Sequence, residues 1–513
     1  MPKGATTPPA PDTAPARTRF APSPTGMQHI GGFRTALFSW LLARHTGGQF
    51  LLRIEDTDIA RTVPGSVEDV IAGFKWLGMD IDEGPANGGP YGPYYQTQRH
   101  DIYGPYAERL IESGAAYRCF CTRERLAQMR ELQIARHLPP RYDRHCRHLT
   151  KREINANLKQ GQSYTVRLAT PTDGKTFVYD ALRGGEPIVF ENANLDDPIL
   201  LKSDGYPTYH LASVIDDHLM EITHVLRAEE WIPSAPLHVI TYKALGWEPP
   251  IFAHVPDILA PAGTPGGGKL SKRKGAIPMS EYATRGYLPE ALLNYMALLG
   301  WSYDDKENIL SREQLIEAFS LDRVGLAPAR YDESRLLWFN GYYIRQLTPD
   351  ALVERTLPFM ERAEAEGGLP DSVARPLDRE YTKRVLLLEQ ERMKTLAEAP
   401  QMTSFFFIDH LEYPTETLIA KHMDVSATLN GLRRAQAILD SRDLWVAAEM
   451  ESPLRELVTE LGLKPVQLFT SLRVAVTGRT VSPPLFETME TLGRAVSQER
   501  LSQAIAALEA LEA

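Results

Sequence analysis

The chain has 513 residues, with 56 Lys and Arg against 66 Asp and Glu, which gives a formal net charge of −10. At roughly 100–200 residues per domain this length predicts about three to five domains. A hydrophobic content of 43% supplies a buried core and excludes a wholly disordered protein. The sequence has no uncharged apolar stretch near the ~20 residues of a membrane span. The acidic net charge gives no whole-chain indication of a nucleic-acid partner, so any such indication must be local.

The N-terminal segment is rich in Pro, Ala and Thr, and we predict that residues 1–17 form a disordered tail. The segment lacks the apolar region of a secretory signal, which indicates a cytoplasmic protein. The chain has three cysteines, and this odd number argues against a disulfide framework.

The first ordered segment predicts an α/β layer. A short strand at 18–21 and a Pro- and Gly-rich loop precede a helix at 29–44. An apolar run at 50–54 predicts a buried strand, and Ser66 is a candidate N-cap for a helix that reaches Leu77. Strands that alternate with helices are typical of a parallel sheet.

The middle of the chain departs from this pattern, and the last part is helical. We interpret 117–208 as an insertion into the α/β domain because its β-like runs are short and its early part is rich in Cys, Arg and His. From about residue 350 onward, Leu, Ala, Glu and Arg periodicity predicts a helical region of about 160 residues. The elements predicted between these points are a helix at 101–113, strands at 164–168 and 177–179, a resumed α/β pattern at 208–214 and 221–226, and a helix between Pro289 and Gly300.

Three glycines and a histidine lie where the first predicted strand turns into the first helix. In segment 19–32, Gly26, Gly31 and Gly32 allow a ligand to approach the backbone closely. A helix that starts near His29 directs free N–H groups and its positive dipole end beyond the strands, which suits phosphate. The His29 ring can also donate a hydrogen bond to a phosphate oxygen. The turn by itself indicates either a phosphate site or tight packing.

A cationic loop follows about 240 residues later. Three glycines at 266–268 precede Lys-Leu-Ser-Lys-Arg-Lys at 269–274, which places four cations within six residues. A mobile cationic loop can neutralise the charge that develops on a leaving pyrophosphate. Taken alone, such a run is also typical of a solvated face.

Together the two motifs, Pro-x-Gly-x-x-His-Ile-Gly at 24–31 and Lys-Leu-Ser-Lys-Arg at 269–273, resemble the paired signature of class I aminoacyl-tRNA synthetases. Further stretches make the resemblance specific to glutamyl-tRNA synthetases of the bacterial type. It covers 18–345 closely and the helical tail more loosely. The stretches are 19–26, Arg-Ile-Glu-Asp-Thr-Asp at 53–58, Gly-Tyr-Pro-Thr-Tyr at 205–209, Asp-Asp-His at 216–218, and His-Val-Leu-Arg-Ala-Glu-Glu-Trp at 224–231.

The resemblance implies an α/β catalytic domain that is split by an insertion and followed by an all-α anticodon-binding region. Its sheet is expected to be a doubly wound parallel sheet of the Rossmann type. The glutaminyl branch has β-barrels in place of the helical region, and the helical pattern argues against that branch. The implied division is a disordered tail at 1–17, the catalytic domain at 18–95 and 209–253, an acceptor-stem-binding insertion with a zinc site at 96–208, a stem-contact domain with the cationic loop at 254–348, and the helical anticodon-binding region at 349–513.

The resemblance also assigns residues to ATP. His29 and Gly31 match the first signature, and Lys272 matches the lysine of the mobile loop that contacts the ATP phosphates. These three residues are the expected catalytic residues, and Glu230 and Lys269 complete the expected ATP-binding set. Gly32 departs from the generic final His of the motif but is usual in the glutamyl branch. Mg²⁺ is expected to arrive with ATP rather than to occupy a protein cage.

The amino-acid substrate carries two carboxylates and one ammonium. Arginine suits the carboxylates because its guanidinium forms two parallel hydrogen bonds, and Glu55 matches the family's acceptor for the ammonium. Ser213 stands where some relatives carry Asn. The residues that the resemblance assigns to glutamate are Arg19, Ala21, Ser23, Glu55, Tyr209 and Arg227.

All three cysteines lie in one short window, as Cys119-x-Cys121 and Cys146-x-His148. Three thiols and one imidazole form a tetrahedral zinc set, although one-residue spacings also fit buried free thiols. The arrangement resembles the zinc-bearing insertion of some bacterial glutamyl-tRNA synthetases, which implies a structural zinc without a catalytic role. His145 or Tyr142 could replace His148 as the fourth ligand.

Two features indicate contact with RNA. Segment 118–152 has ten Lys or Arg residues against three Asp or Glu residues, with aromatic residues interleaved. This composition suits a phosphate-contacting surface or a solvated helix face. In the helical tail, Arg392 aligns with the arginine by which discriminating family members read the third anticodon base. That alignment implies charging of glutamate tRNA only, and a merely solvated arginine is the alternative.

The resemblance thus implies a glutamate–tRNA ligase that uses ATP, L-glutamate and tRNA(Glu); the family expectation is a monomer, and no membrane partner is expected. The glutamate carboxylate is expected to attack the α-phosphate of ATP, and a terminal ribose hydroxyl of the tRNA then attacks the adenylate. The protein positions the reactants and stabilises charge, and no covalent nucleophile is needed. In this family, activation generally waits for tRNA, and we expect the same here.

Three alternatives predict different sequences. A relative that glutamylates a modified tRNA base lacks an anticodon region, whereas this chain has a long helical tail. A non-catalytic tRNA-binding protein on the same scaffold is expected to have lost His29, Lys272 or the pocket arginines, which are present. A nucleotidyltransferase with a similar histidine loop is much shorter and does not need Arg19, Glu55 and Arg227 together.

Overall fold

The computed structural model describes residues 14–304 and 308–512. Its internal contacts form two compact units, which we call unit 1 (14–283 and 289–333) and unit 2 (284–288 and 334–512). Residues 1–13 of the predicted tail at 1–17 lie outside the described residues, but its end is ordered: Ala16 is buried and Arg17 begins the first strand. The six-part division predicted from the sequence is finer than these two units. In the described part of the chain, every helix is too short or too polar to cross a membrane.

Strands occur in unit 1, and among the described residues of unit 2 there are none. They are β1 Arg17–Phe20, β2 Gln49–Leu52, β3 Ala116–Cys119, β4 Thr165–Leu168, β5 Lys175–Tyr179, β6 Pro187–Glu191, β7 Ile199–Leu201, β8 His224–Ala228, β9 Ile251–Val255, β10 Ile258–Leu259 and β11 Ala329–Arg330.

The helices of unit 1 connect these strands, and those of unit 2 form a separate all-α layer. The chain order is α1 Ile30–His45, α2 Ser66–Leu77, α3 His100–Glu112, α4 Arg123–Ala135, α5 Lys151–Lys159, α6 Tyr209–Leu219, α7 Ala235–Ala244, α8 Met279–Thr284, α9 Pro289–Ala297, α10 Arg312–Ala318, α11 Glu333–Arg345, α12 Pro349–Glu361, α13 Arg379–Glu389, α14 Ala399–Thr403, α15 Val425–Asp440, α16 Ala447–Glu460, α17 Pro465–Thr477, α18 Leu485–Leu492 and α19 Arg494–Glu512.

A four-stranded parallel sheet in the order β2-β1-β8-β9 is the centre of unit 1. Its strands are short and almost wholly buried, as expected of a sheet covered by helices. All four carboxyl ends point to one edge, where ligands of open α/β sheets bind. The predicted parallel α/β layer is therefore confirmed.

The predicted boundaries of the first elements shift by one or two residues. Strand β2 ends at Leu52 because Ile54 pairs instead with Tyr95, outside the sheet. The predicted N-cap at Ser66 is wrong, since Gly65 caps α2 in a left-handed conformation and the Ser66 hydroxyl bonds back to Val63 O at 2.7 Å. In α1, His29 is the N-cap rather than the first helical residue.

The segment interpreted as an insertion carries its own antiparallel strands, in the sheet β3-β4-β7 and the hairpin β5-β6. It has a small buried cluster around Tyr117, Cys119, Tyr142 and Cys146, and another part of it packs into the core of the central sheet. Val166 and Val178 of the insertion belong to the same buried cluster as Leu51 and Phe252 of the central sheet. Part of the insertion is therefore packed directly against the central sheet.

The predicted helical tail is confirmed. Helices α12 to α19 lie in unit 2, and most of them contribute to one buried cluster of apolar side chains that extends from Val385 to Leu508. Several helices begin as the sequence rules predict, for example α12 with Pro349 in its first turn after the N-cap Thr348.

Candidate active site

A network of buried charges lies at the carboxyl ends of β1 and β2. Arg19 donates from Nε to Asp217 Oδ1 at 3.1 Å, and Arg53 donates to the same oxygen from Nη1 at 2.7 Å. The other end of Arg53 donates to Glu55 Oε1 at 3.0 Å. All four side chains are buried. Because two cations face two carboxylates, the desolvation cost of each charge is offset by its neighbours.

Burial acts to raise the pKa of both carboxylates of this network, but their net pKa shifts are opposite. Burial alone would raise the pKa of Asp217, but the charges of Arg19 and Arg53 outweigh it and hold that pKa below its usual value. Burial raises the pKa of Glu55 despite the opposing charges of Arg53 and Arg19. Asp217 is therefore stabilised as an anion by its two arginines, whereas the charge of Glu55 is less fully compensated.

Asp216 anchors the next layer of the site. Its carboxylate accepts hydrogen bonds from Gln96 Nε2 at 2.9 Å, Arg99 Nε at 2.7 Å and the Tyr103 hydroxyl at 2.9 Å. The Asp216 side chain is fully buried. The network thus holds α3 and α6 against the ends of the sheet.

Arg227 lies on β8 and is 6% exposed. Its Nε donates to His254 Nε2 at 3.0 Å, and its Nη1 donates to the Tyr209 hydroxyl at 2.8 Å and lies 3.3 Å from His238 Nδ1. Among the described residues nothing accepts a hydrogen bond from Arg227 Nη2, which is buried. A buried guanidinium end without an acceptor is costly unless an anionic ligand binds it.

Aromatic rings line the pocket beside Arg227. Tyr209 packs on Trp231 with ring centroids 4.3 Å apart and on His238 at 5.1 Å. Burial, reinforced by Arg227, lowers the pKa of both His238 and His210, for His210 to about 4. Both rings are therefore neutral at pH 7, and Arg227 remains the dominant charge of this wall.

The remaining predicted pocket residues contribute less to the observed contacts. Ala21 and Ser23 follow β1 directly at its carboxyl end, and Ser23 is exposed on the loop. Ser213 lies on α6 with a buried hydroxyl that finds no partner in the described residues. A buried hydroxyl of this kind is available to a polar ligand atom.

The two glycine-containing motifs meet in space. A Cβ added at Gly26, whose φ is +155°, would lie 2.6 Å from Lys272 Nζ, so the lysine ammonium lies directly against this glycine and would have to shift for a larger residue. The backbone of His29 also forms an antiparallel bridge with Pro278, just after the cationic loop. The structure thus brings the predicted ATP-binding segments of 24–31 and 269–274 together.

His29 is prepared to donate to an anion. Its Nδ1 accepts from the Gly31 N–H at 3.0 Å, so the ring proton sits on Nε2. Burial, then the charges of Lys269 and Lys272, lowers the pKa of His29. A Cβ at Gly31 would lie 2.8 Å from His29 Cε1, which explains glycine at this position. A neutral ring with one fixed N–H can bind a phosphate oxygen without carrying charge.

The two loop lysines differ in their environment. Lys269 Nζ contacts Glu230 Oε2 at 2.5 Å and Asp257 Oδ1 at 3.0 Å, so this lysine is already paired. Lys272 and Glu230 are exposed. Lys269 therefore holds the loop in place, and Lys272 is the cation available to a ligand.

The three predicted metal-binding thiols lie together. The Sγ atoms of Cys119, Cys121 and Cys146 all fall within 4.8 Å of one another, and all three cysteines are free of disulfides. The Tyr142 hydroxyl lies 3.3 Å from Cys119 Sγ and 3.4 Å from Cys121 Sγ. In the described residues the exposed His148 ring is not part of this group. Three converging thiols with an adjacent phenol oxygen fit a four-coordinate zinc ion.

Several arginines of segment 118–152 are engaged within the protein. Arg144 and Arg147 both pair with the buried Asp197 at 3.3 Å, and Arg125 pairs with Asp143 at 2.6 Å. Arg118 pairs with Glu108. These cations are paired within the segment that carries the three thiols, so the local charge excess available to a ligand is smaller than the sequence count indicates. The exposed cations are Arg123, Arg130, Arg136, Lys151 and Arg152.

Arg392, the predicted anticodon reader, lies in unit 2 directly after α13. Its Nη1 donates to Glu389 Oε2 at 2.8 Å; the Glu389 side chain is 2% exposed and that of Arg392 is 39% exposed. Burial raises the pKa of Glu389, and the charges of Arg392 and Arg479 oppose it. Arg392 is thus held at one end and accessible at the other.

The sequence analysis missed the residues that support the pocket. Arg53, Asp216 and Asp217 were noted only as part of matching stretches, and His254 and Asp180 were not noted at all. A charged residue inside an otherwise apolar strand is the signal that could have identified Arg53, because unpaired buried charges are rare. No comparable local signal marks Asp180, which reaches the site through the insertion.

Comparisons with known families identify the two parts of the chain. The family described as "tRNA synthetases class I (E and Q), catalytic domain" matches residues 15–338, and "Anticodon binding domain" matches 351–505. The chain is 50% identical to the glutamate–tRNA ligase of Roseiflexus castenholzii, over 97% of this chain and 98% of the relative. It is 48% identical to that of Dehalococcoides mccartyi, strain CBDB1, with the same coverage.

Solved structures give the same result. A crystal structure of a glutamate tRNA ligase from Elizabethkingia meningosepticum in complex with its amino acid superimposes with a TM-score of 0.85 at 35% identity. The similarity covers 96% of this chain and 99% of that one. Glutamate-tRNA synthetase from Elizabethkingia anophelis superimposes with a TM-score of 0.82 at 35% identity and with the same coverage.

Proposed function

The chain belongs to the glutamate–tRNA ligase family of class I tRNA synthetases, and we propose that the pocket around Arg227 binds the L-glutamate that it activates. As a member of this family, the enzyme joins glutamate to tRNA in an ATP-dependent reaction for protein synthesis. The observation that carries the substrate assignment is the buried Nη2 of Arg227, which lacks an acceptor in the described residues. A glutamate carboxylate supplies that acceptor.

The other end of glutamate is assigned to Glu55. Its carboxylate keeps one oxygen on Arg53, and its raised pKa reflects a buried anion whose charge is only partly compensated. The substrate ammonium completes this compensation. Arg19, held by Asp217, supplies positive charge next to the second carboxylate. Ala21, Ser23 and Tyr209 form the remaining walls of the proposed pocket.

We assign ATP to the site where the two motifs meet. The N–H groups at the start of α1 and the His29 Nε2–H suit phosphate oxygens, and the exposed Lys272 ammonium suits the leaving pyrophosphate. Lys269 and Glu230, which pair with each other, border the same site. Mg²⁺ supplies further phosphate neutralisation when it arrives with ATP.

The reaction needs positioning rather than a protein nucleophile. One oxygen of the α-carboxylate of glutamate attacks the α-phosphorus of ATP. The bond from this phosphorus to the bridging oxygen of pyrophosphate breaks, and pyrophosphate leaves with the electron pair of that bond. A terminal ribose hydroxyl of the tRNA then attacks the carbonyl carbon of the adenylate, and AMP leaves. The protein's contribution is to fix both reactants and to stabilise the charge that develops on the phosphates.

Further assignments concern the tRNA, a metal ion and the conditions of activation. We assign the acceptor end of tRNA(Glu) to the insertion at 96–208 and the third anticodon base to Arg392. A structural zinc is assigned to Cys119, Cys121 and Cys146, with Tyr142 or His148 as fourth ligand. The enzyme is expected to act in the cytoplasm as a monomer and to activate glutamate only when tRNA is bound.

Aminoacylation with radiolabelled glutamate tests the function directly. Purified tRNA(Glu) is expected to accept glutamate in the presence of ATP, and glutamine and tRNA(Gln) serve as matched controls. Absence of glutamyl-tRNA with correctly folded enzyme would contradict the function.

Glutamate-dependent exchange between ATP and pyrophosphate is expected only with tRNA, so full exchange without tRNA would contradict tRNA-dependent activation alone.

Metal analysis tests the zinc assignment. Purified enzyme is expected to hold about one zinc per chain, and less than about half an equivalent with freely titratable thiols would contradict it. Tyr142→Phe and His148→Ala separate the two candidate fourth ligands, because only the variant that removes a true ligand should release zinc at a lower chelator concentration.

A further inference from the structure

Asp180 belongs to the insertion but lies against the central sheet. It follows strand β5 and forms a parallel bridge with Phe252 of β9, and it is 2% exposed. Its Oδ1 accepts from the Leu182 N–H at 3.0 Å. Its Oδ2 lies 3.1 Å from the His254 backbone N and 2.6 Å from His254 Nδ1. Both carboxylate oxygens are thus committed to N–H donors.

This contact fixes the protonation of His254. A carboxylate oxygen only accepts, so Nδ1 carries the proton and Nε2 keeps its lone pair. Burial lowers the pKa of His254, although Asp180 opposes this effect. The lowered pKa keeps the ring neutral. The free lone pair on Nε2 accepts from Arg227 Nε at 3.0 Å. His254 and Arg227 are direct neighbours across β8 and β9, so the backbone also holds this pair in register.

The guanidinium of Arg227 is consequently held at two of its three nitrogen atoms. His254 holds Nε, and Tyr209 and His238 hold Nη1, which leaves Nη2 for a ligand. Rotation of the ring of His254, or loss of its Nε2 acceptor, would free the guanidinium plane. The hydrogen bond from Nη2 to a carboxylate oxygen depends on the orientation of that plane.

We infer that Asp180 and His254 are positioning residues for the amino-acid substrate: Asp180 sets the tautomer of His254, and His254 sets the plane of Arg227 in which its Nη2 meets a glutamate carboxylate. The inference rests on the proposed function, because it needs glutamate at Arg227. It assigns part of the amino-acid site to the insertion, which the sequence connects only with tRNA.

Asp180→Asn tests the inference with almost no change in size. The carboxylate offers two acceptor oxygens to its N–H donors, whereas the amide offers one. The NH₂ group of the amide must therefore face another N–H group or the His254 ring, and the tautomer of His254 is no longer fixed. The KM for glutamate is expected to rise about 10- to 100-fold. The KM for ATP and kcat at saturating glutamate are expected to stay within about threefold, because ground-state and transition-state binding of glutamate weaken together.

Asp197→Asn is the matched control. Asp197 is another fully buried carboxylate of the insertion, and its partners are Tyr117, Arg144, Arg147 and Thr170 rather than residues of the pocket. This variant is expected to lower thermal stability without changing the KM for glutamate. Equal effects of the two variants on that KM would overturn the inference, since the effect would then be general loosening of the insertion.

A double-mutant cycle tests the route through His254. His254→Ala alone is expected to raise the KM for glutamate at least as much as Asp180→Asn, and adding Asp180→Asn to it should have little further effect. Independent, additive effects would overturn the inference. So would a KM for glutamate that stays within about twofold in Asp180→Asn. Failure of the wild-type enzyme to charge any tRNA with glutamate would instead remove the proposed function.

Discussion

The amino-acid pocket and the cationic loop at 266–275 carry positive charge in opposite ways. In the pocket, Arg19, Arg53 and Arg227 are at most 6% exposed and bind acceptors supplied by the protein. In the loop, Lys272 and Arg273 are exposed, on a segment with glycines at both ends. Under the proposed function, the pocket presents glutamate with buried charges that the protein already orients, whereas the loop presents phosphate with solvent-exposed charges.

The difference follows from what each site must do. A pocket that selects one amino acid benefits from charges that are desolvated and oriented in the folded protein, because a ligand that fails to match them leaves them unpaired. A loop that stabilises charge during the reaction must reach a group whose position changes as pyrophosphate leaves. Exposed cations cost little to hold in water and gain most when a multiply charged ligand arrives.

Removal of the Arg227 guanidinium should have the largest effect. Arg227→Ala leaves the substrate carboxylate without its partner in a buried site, and we expect kcat/KM for glutamate to fall about 10³-fold. Arg227→Lys should recover little, because an ammonium cannot reproduce the planar contact. Steady-state aminoacylation at varied glutamate measures both.

Arg109→Lys is the matched control, since Arg109 donates to the backbone oxygen of Leu245 and takes no part in the proposed pocket. It should retain kcat/KM within about threefold. An Arg227→Ala enzyme that keeps more than about a tenth of the wild-type value would contradict the view that the pocket is fixed around this residue.

Lys272→Ala should act on the rate rather than on glutamate binding. Loss of a cation that meets charge mainly in the transition state lowers kcat, here by about 100-fold, and leaves the KM for glutamate nearly unchanged. Arg273→Ala, at the neighbouring exposed cation, should change kcat less than about threefold. Equal losses in both variants would mean that the loop contributes only its net charge, and the contrast with the pocket would then be weaker than proposed.

Glutamate affinity should fall as the pH is lowered, through Glu55. Burial raises the pKa of this carboxylate, so on acidification it takes up a proton at a higher pH than an ordinary glutamate does. The neutral acid no longer attracts the substrate ammonium, and the KM for glutamate should rise up to about tenfold per pH unit below that pKa. Activity of Glu55→Gln should be low and should lack this rise, whereas an unchanged profile in that variant would exclude Glu55 as the titrating group.

The fold was largely predictable because its signals are local. Alternating apolar segments between helix caps predict the parallel layer, and the periodicity after residue 350 predicts the helical unit. The boundary errors arise where tertiary contacts decide. Ile54 leaves β2 to pair with Tyr95, and the left-handed Gly65 replaces Ser66 as the N-cap of α2. Neither partner is visible in the local pattern.

The site was predictable only where a motif identifies it. The motifs name Arg227, Glu55, His29 and Lys272 because those residues match a known signature. The residues that hold them are dispersed in the sequence: Asp217 binds Arg19 from 198 residues away. Such partners emerge from packing, since buried charges need partners but the sequence does not say which segment supplies them. The same reason explains why Tyr142, rather than His148, lies beside the thiols.

Arg392 is an intermediate case between the pocket and the loop, and it should show the smallest effect. Its guanidinium is held by the buried Glu389 at one end and is half-exposed at the other, so it combines a fixed orientation with access to a large ligand. Arg392→Gln should raise the KM for tRNA(Glu) about fivefold and reduce the preference over tRNA(Gln), because an edge contact to one base is lost. Arg433→Gln, at an exposed arginine of the same unit that pairs with Glu509, is the control and should leave both values unchanged. If the two variants behave alike, Arg392 is a solvated surface arginine. If Glu389→Gln reproduces Arg392→Gln, orientation by a buried carboxylate matters for tRNA recognition, in parallel with the role proposed for Asp180 in glutamate recognition.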